Sequence, residues 1–239
     1  MRALLGAEWR KLTTTRAAYL LLAGVAALAV VTVMDPGYEA AEFGKPFHEH
    51  TFVLFTSLLS RILIFVLGVR IVTDEFRHGT IVPSLLSSPR RGRLLTAKAL
   101  VAAGTGAVLG AAAWGAMTGA AAVAASSEGA ALTLDGGAWR SFGGMAFAGA
   151  GWALVGLGLG AIVRSQVVAI VGGLIWLMGL EDGLRGWFGD LVGYLPGQAG
   201  LALVTSPTAK GALLAAAILA GYAAVALAVG ARALRRDVS

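Results

Sequence analysis

Long apolar runs separated by short polar stretches set the pattern of this chain. A helix needs about 20 apolar residues to cross the hydrocarbon core of a bilayer. Six segments approach that length: 17–34, 51–72 (interrupted by Arg61), 94–125, 141–163, 166–180 and 209–231. The third is long enough to protrude and the fifth is short. None has the polar alternation of a barrel strand, and lipid leaves open backbone groups unsatisfied, so helices are the expected form. Residues 1–16 carry Leu5, Trp9 and Leu12 near one helical face, with Arg2, Arg10 and Lys11 around it. That pattern suits a helix lying along a membrane surface. The expected fold is all-α and integral to a membrane: one domain over 1–239, six transmembrane helices and an amphipathic interfacial helix at the N-terminus.

Two polar or mixed stretches break the pattern. Residues 74–93 gather six charges around a short apolar stretch: Asp74, Glu75, Arg77, Arg90, Arg91 and Arg93. Residues 181–207 are too apolar for a solvated loop and too rich in Gly and Pro for a span. They predict short re-entrant or interfacial helices covered by protein. The first run, 17–34, is followed by Asp35-Pro36-Gly37 rather than a small-residue cleavage site, so an uncleaved span is expected.

Composition agrees with this picture. Mean hydropathy is +0.78 and 13% of residues are charged, against roughly a quarter in soluble domains. The formal net charge of +6 does not point to nucleic acid, because the basic residues flank apolar runs rather than lining a soluble face. With both termini in the cytoplasm, fourteen of the nineteen Lys and Arg fall inside and four outside, leaving Arg61 in a span. This bias places 74–93 on the cytoplasmic side. Fifteen Arg against four Lys, no Asn and abundant Ala and Gly suggest a GC-rich bacterial source, hence a bacterial cytoplasmic membrane. The absence of Cys excludes disulfides and thiolate chemistry.

Candidate chemistry is sparse. Gly44-Lys45 is followed by Pro46, so no P-loop is present and ATP hydrolysis is not expected of this chain. His48, His50 and His78 lie in loops and the carboxylates lie outside the six spans, which argues against intramembrane hydrolysis and proton relays. His48-Glu49-His50 lacks zinc-motif spacing, and no metal site is expected. Gly106/Gly110, Gly115/Gly119 and Gly156/Gly158/Gly160 read as close helix contacts. Arg61 is the one ionisable residue deep in a span, about 16 Å from either end. It should face protein or water, with carbonyls at broken helix ends in 181–207 as partners. A pathway or interface position for it stands beside a purely structural one.

Within 74–93, Thr80 can cap a short helix, with Pro83 in its first turn and Pro89 after its end. Ile81 and Leu85 share one face with Leu86 adjacent, followed by the basic hinge of Arg90, Arg91, Arg93 and Lys98. The pattern predicts a docking element just below the membrane.

In these residues the chain resembles the membrane subunits of ABC-2 type ABC transporters. The resemblance rests on AEWRKLTTTR before the first span and GVRIVTDEFRHGTIVPSLLSSPRRGRLLTAK over 68–98. Glu75, Gly79, Thr80, Pro89, Arg90, Arg91, Ala97 and Lys98 match the family pattern. Pro83 departs from it, which affects where the short helix starts. The resemblance implies a permease half-transporter that pairs with a second copy, or a paralogous permease, and with a cytoplasmic ABC ATPase subunit. That ATPase would bind the ATP and Mg; no cofactor is expected in this chain. The short helix is then the coupling helix, with Glu75, Phe76, Arg77, Gly79, Thr80, Ile81, Leu85 and Leu86 as its ATPase-coupling residues. Export of an amphiphilic, lipid-like or drug-like substrate is implied. The alternative is a non-transporting membrane scaffold or immunity protein that recruits a cytoplasmic partner; an ion channel or secondary transporter is disfavoured.

Overall fold

The computed structural model describes residues 2–14, 19–20, 23–24, 27, 49–79, 91–127, 134 and 136–236. Most of the first expected span, and Thr80, Ile81, Leu85, Leu86 and Arg90, lie outside the described residues. The described residues form helices and turns, without strands. Helix α1 (Arg2–Thr14) precedes α2 (Glu49–Arg77), α3 (Arg91–Ser127) and α4 (Gly136–Val163). Helix α5 (Gln166–Ile175) continues through a π-helical turn, Trp176–Leu180. Short helices at Glu181–Gly183 and Arg185–Phe188 and a 3₁₀ turn at Gly189–Tyr194 lead to α6 (Pro196–Thr205). Helix α7 (Ala209–Arg236) ends the described chain.

Among the described residues three helices are long and apolar enough to cross a membrane: 92–119 within α3, 136–163 and 209–234. Gln166–Leu180 is apolar but shorter. Helix α3, at 37 residues, is about 55 Å long, well beyond a hydrocarbon core of about 30 Å. The expected protrusion follows from this length. Helix α4 starts at Gly136, five residues before the run 141–163.

The centre is α4, which packs against α2, α3 and α7. Its apolar window is 56% buried, against 17% for that of α7, so α7 is peripheral. Small residues explain how α4 holds three neighbours. A Cβ added at Gly149 would collide with the Gly106 carbonyl of α3, and one at Gly106 with the Gly149 carbonyl. Gly156 likewise abuts the Phe65 carbonyl of α2, and Gly158 abuts Ala226 of α7. Backbones at this separation gain dispersion contacts that larger side chains would prevent. Gly115 and Gly119 have open space where a Cβ would be, so the expected contact there is not made among the described residues. Phe65, Leu109, Trp152, Leu157 and Leu219 fill the core between the glycine contacts.

The turn from α4 to α5 places Arg164 at φ 59°, a left-handed conformation that costs a non-glycine residue free energy. Its guanidinium donates to the Ala233 carbonyl of α7 at 2.7 Å, which holds the turn. Ser165 then caps α5 by accepting from the Val168 N–H at 3.5 Å. Gly160 of α4 lies against Val72 of α2, so Arg164, Ala233 and the end of α2 share one end of the bundle. At the other end Trp114, Trp139 and Phe142 pack with ring centroids 5.2 to 6.0 Å apart.

Candidate functional site: a buried charge cluster beside residues 80–90

The charged stretch 74–93 begins inside α2. That helix ends at Arg77, with the His78 N–H on the Asp74 carbonyl and the Gly79 N–H on the Phe76 carbonyl. Gly79 is left-handed at φ 65°, a conformation glycine adopts without steric cost and one that often stops a helix. The chain re-enters described structure at Arg91, where α3 begins. Residues 80–90 are therefore flanked on both sides by helix ends.

Beside those ends lies a cluster of four charges. Lys98, 2% exposed, donates to Glu8 Oε2 at 2.8 Å and Glu75 Oε1 at 2.7 Å. Its Nζ also lies 3.4 Å from the Ile71 carbonyl. Lys11 donates to Glu8 Oε1 at 3.0 Å and Glu75 Oε1 at 2.8 Å. Glu8 and Glu75 are each 5% exposed. Two cations and two carboxylates thus join α1, the end of α2 and the start of α3. Burial would push the Lys11 ammonium down, but hydrogen bonds and charge from Glu75 and Glu8 outweigh it and raise it above its usual range.

Several expected positions differ from this geometry. Lys98, expected as part of a basic hinge, is buried two turns into α3. Glu75, expected at a partner's surface, is consumed inside the chain. On α1 the buried Glu8 meets the cations of α1 and α3, while Trp9 is 52% exposed, as a membrane-facing residue of an interfacial helix would be. Ala97 is fully buried next to Lys98. Phe76 packs against the core, while Arg77 and Arg93 are exposed. Arg91 opens α3. Arg70 and Asp74 pair at 3.3 Å one turn before the cluster.

A second polar site surrounds Arg61. Its Nη1 donates to the Gly197 carbonyl at 2.8 Å and its Nη2 to the Leu177 carbonyl at 3.4 Å. Gly197 is in the broken-helix segment 181–207, as expected; Leu177 is in the π-helical turn, which the sequence pattern did not reveal. A π turn shifts carbonyls out of the i→i+4 ladder and makes them available to side chains. Glu181 is 4% exposed, a buried carboxylate where none was expected near Arg61. It accepts from Trp176 Nε1 at 2.5 Å, the Gly197 N–H at 2.9 Å and the Gln198 N–H at 3.1 Å. Pro196 opens α6 without a side-chain cap from its N-cap residue Leu195. Glu181 satisfies the orphan donors instead and places negative charge at the helix N-terminus. Gly197 thus links the two ions, its N–H on Glu181 and its carbonyl on Arg61.

Among the described residues no group of three or more His, Asp or Glu is placed to hold a metal ion. No family model matches the chain, and a search of curated proteins finds no match.

Proposed function

We propose that this chain is the six-span permease subunit of an ATP-driven transporter of the ABC-2 type in a bacterial cytoplasmic membrane. In this reading, it exports an amphiphilic, lipid-like or drug-like substrate with a separate cytoplasmic ATPase and a second permease subunit. The observation that carries the proposal is the buried cluster of Glu8, Lys11, Glu75 and Lys98 beside residues 80–90. A simple basic turn between two spans would not need three helices tied together at its base. A segment that receives force from a partner would.

Mechanically, the ATPase subunit engages 80–90 through Ile81, Leu85 and Leu86, with Gly79 as the pivot on the α2 side. Motion of its nucleotide-binding domains displaces this segment. Lys98 binds carboxylates of both α1 and α2, so the three helix ends move as one body and carry the displacement into α2 and α3. Helix α4, locked to α2 and α3 through glycine contacts, moves with them. Rigid-body motion of packed helices is an established form of such switching. Charge pairs suit this linkage because removing one partner strands another buried charge.

The test is coexpression with a stand-alone ATPase encoded beside this chain. Wild type copurifies with the ATPase, whereas Leu85→Asp, which places a charge on an apolar anchor, loses it while retaining its own helicity and monodispersity. Binding retained by Leu85→Asp would overturn the coupling assignment. Binding without ATP-dependent transport by wild type would favour the scaffold.

A further inference from the structure

A cavity inside the bundle contains a buried donor whose hydrogen bond is unmade. Trp152 of α4 is 2% exposed, and its Nε1–H has no hydrogen-bond partner among the described residues. A buried donor left without an acceptor is unfavourable, so an acceptor entering there is favoured. Trp152 lines a cavity of about 20 Å³, walled also by Ser57, Ser60, Arg61 and Ile64 of α2 and by Gly200 of α6. Gly200 keeps this place open: a Cβ there would lie 2.7 Å from Trp152 Nε1. The volume admits one oxygen-sized group. Arg61 brings a cation to the same wall, anchored by the Gly197 and Leu177 carbonyls. The rest of the wall is apolar.

We propose that this cavity binds an anionic oxygen at the head of an amphiphilic ligand. Trp152 Nε1–H donates to the oxygen, and the Arg61 charge favours an oxyanion there. The size of the cavity means that it grips one oxygen while the rest of the ligand lies outside. The charge pattern selects phosphate- or carboxylate-headed amphiphiles over cationic ones. Treating this ligand as cargo rests on the transport reading above; the binding itself requires no ATPase.

The experiment uses the full chain with ¹⁵N-indole-labelled tryptophan in uncharged maltoside micelles. Trp152→Phe identifies the Trp152 indole resonance among those of the six tryptophans. Dodecyl phosphate should move that resonance downfield with saturation. Gly200→Ala, whose methyl abuts the indole nitrogen, should weaken the apparent affinity about tenfold. If Trp152→Phe does not fold, the resonance shifted by Gly200→Ala in the absence of ligand supplies the assignment. An unmoved resonance, the same shift with dodecyltrimethylammonium, or the same shift with inorganic phosphate alone would overturn the proposal. Copurification with the ATPase is a separate result, so failure here and failure of the transport reading are distinguishable.

Discussion

Replacing Lys98 with Met removes a buried cation and leaves two buried carboxylates facing one half-exposed ammonium. The Lys98 side chain is 3% exposed and lies within 2.8 Å of both Glu8 and Glu75. Breaking a buried pair from one side costs about 3 to 5 kcal/mol. At 1.36 kcal/mol per tenfold change, opening of α1 from α2 and α3 should become about 150 to 5,000 times more favourable. Lys11 bonds the same carboxylates at 3.0 and 2.8 Å, but its side chain is 53% exposed. Solvent screening reduces such a pair to about 1 kcal/mol or less, so Lys11→Met should shift the same opening by about fivefold or less. Hydrogen exchange of the Arg2–Thr14 amides in nanodiscs measures both. The difference should persist in high salt, which weakens exposed pairs more than buried ones. Equal acceleration by the two substitutions, or none with Lys98→Met, would refute the claim that Lys98 holds the cluster together.

Other substitutions and one change of pH address the helix contacts, the second polar site and Lys11 of the first cluster. Gly149→Ala forces a methyl against the Gly106 backbone and should destabilise the bundle by about 1 to 3 kcal/mol, read as a lower unfolding midpoint, whereas Gly115→Ala, in open space, should be neutral or slightly stabilising. Glu181→Ala strands the Gly197, Gln198 and Trp176 donors and should cost about 1 to 3 kcal/mol, appearing as faster exchange in the first turn of α6; unchanged exchange there would contradict the capping role. Lys11, raised by its carboxylate partners, should contribute fully to docking below about pH 10.4, its ordinary value, and lose that contribution as pH rises through its higher folded value. Trp9 fluorescence in a variant lacking the other tryptophans should report an alkaline transition that Lys11→Met removes.

The apolar runs made the long helices legible because a span must bury its backbone bonds and leave apolar side chains outward. Length alone announced the protrusion of α3, and Gly and Pro in 181–207 announced its division into short helices. The Gly106 contact was legible as spacing, but Gly115 shares that spacing and faces open space; spacing does not specify which face meets a neighbour. The clusters were less visible. Glu8, Glu75 and Lys98 are far apart in sequence, and each reads locally as the solvated charge of a helix end. Their burial follows from the meeting of three helices. Arg61 was legible as a cation in need of carbonyl partners, since its depth allows few alternatives. Glu181 was not, because a carboxylate at the edge of a polar segment resembles a loop residue until α6 presents its N-terminal amides. The π turn has no composition signature at all in Trp176–Leu180.

The most direct test of the proposed coupling uses the complex purified with the proposed ATPase partner, reconstituted in liposomes, carrying Lys98→Gln in this chain. The variant should retain the ATPase subunit and hydrolyse ATP within about twofold of wild type, while ATP-dependent movement of a fluorescent amphiphile falls at least tenfold, about 1.4 kcal/mol of lost coupling. Transport at the wild-type rate with the cluster broken would contradict the assignment of Glu8, Lys11, Glu75 and Lys98 as the linkage between residues 80–90 and the bundle.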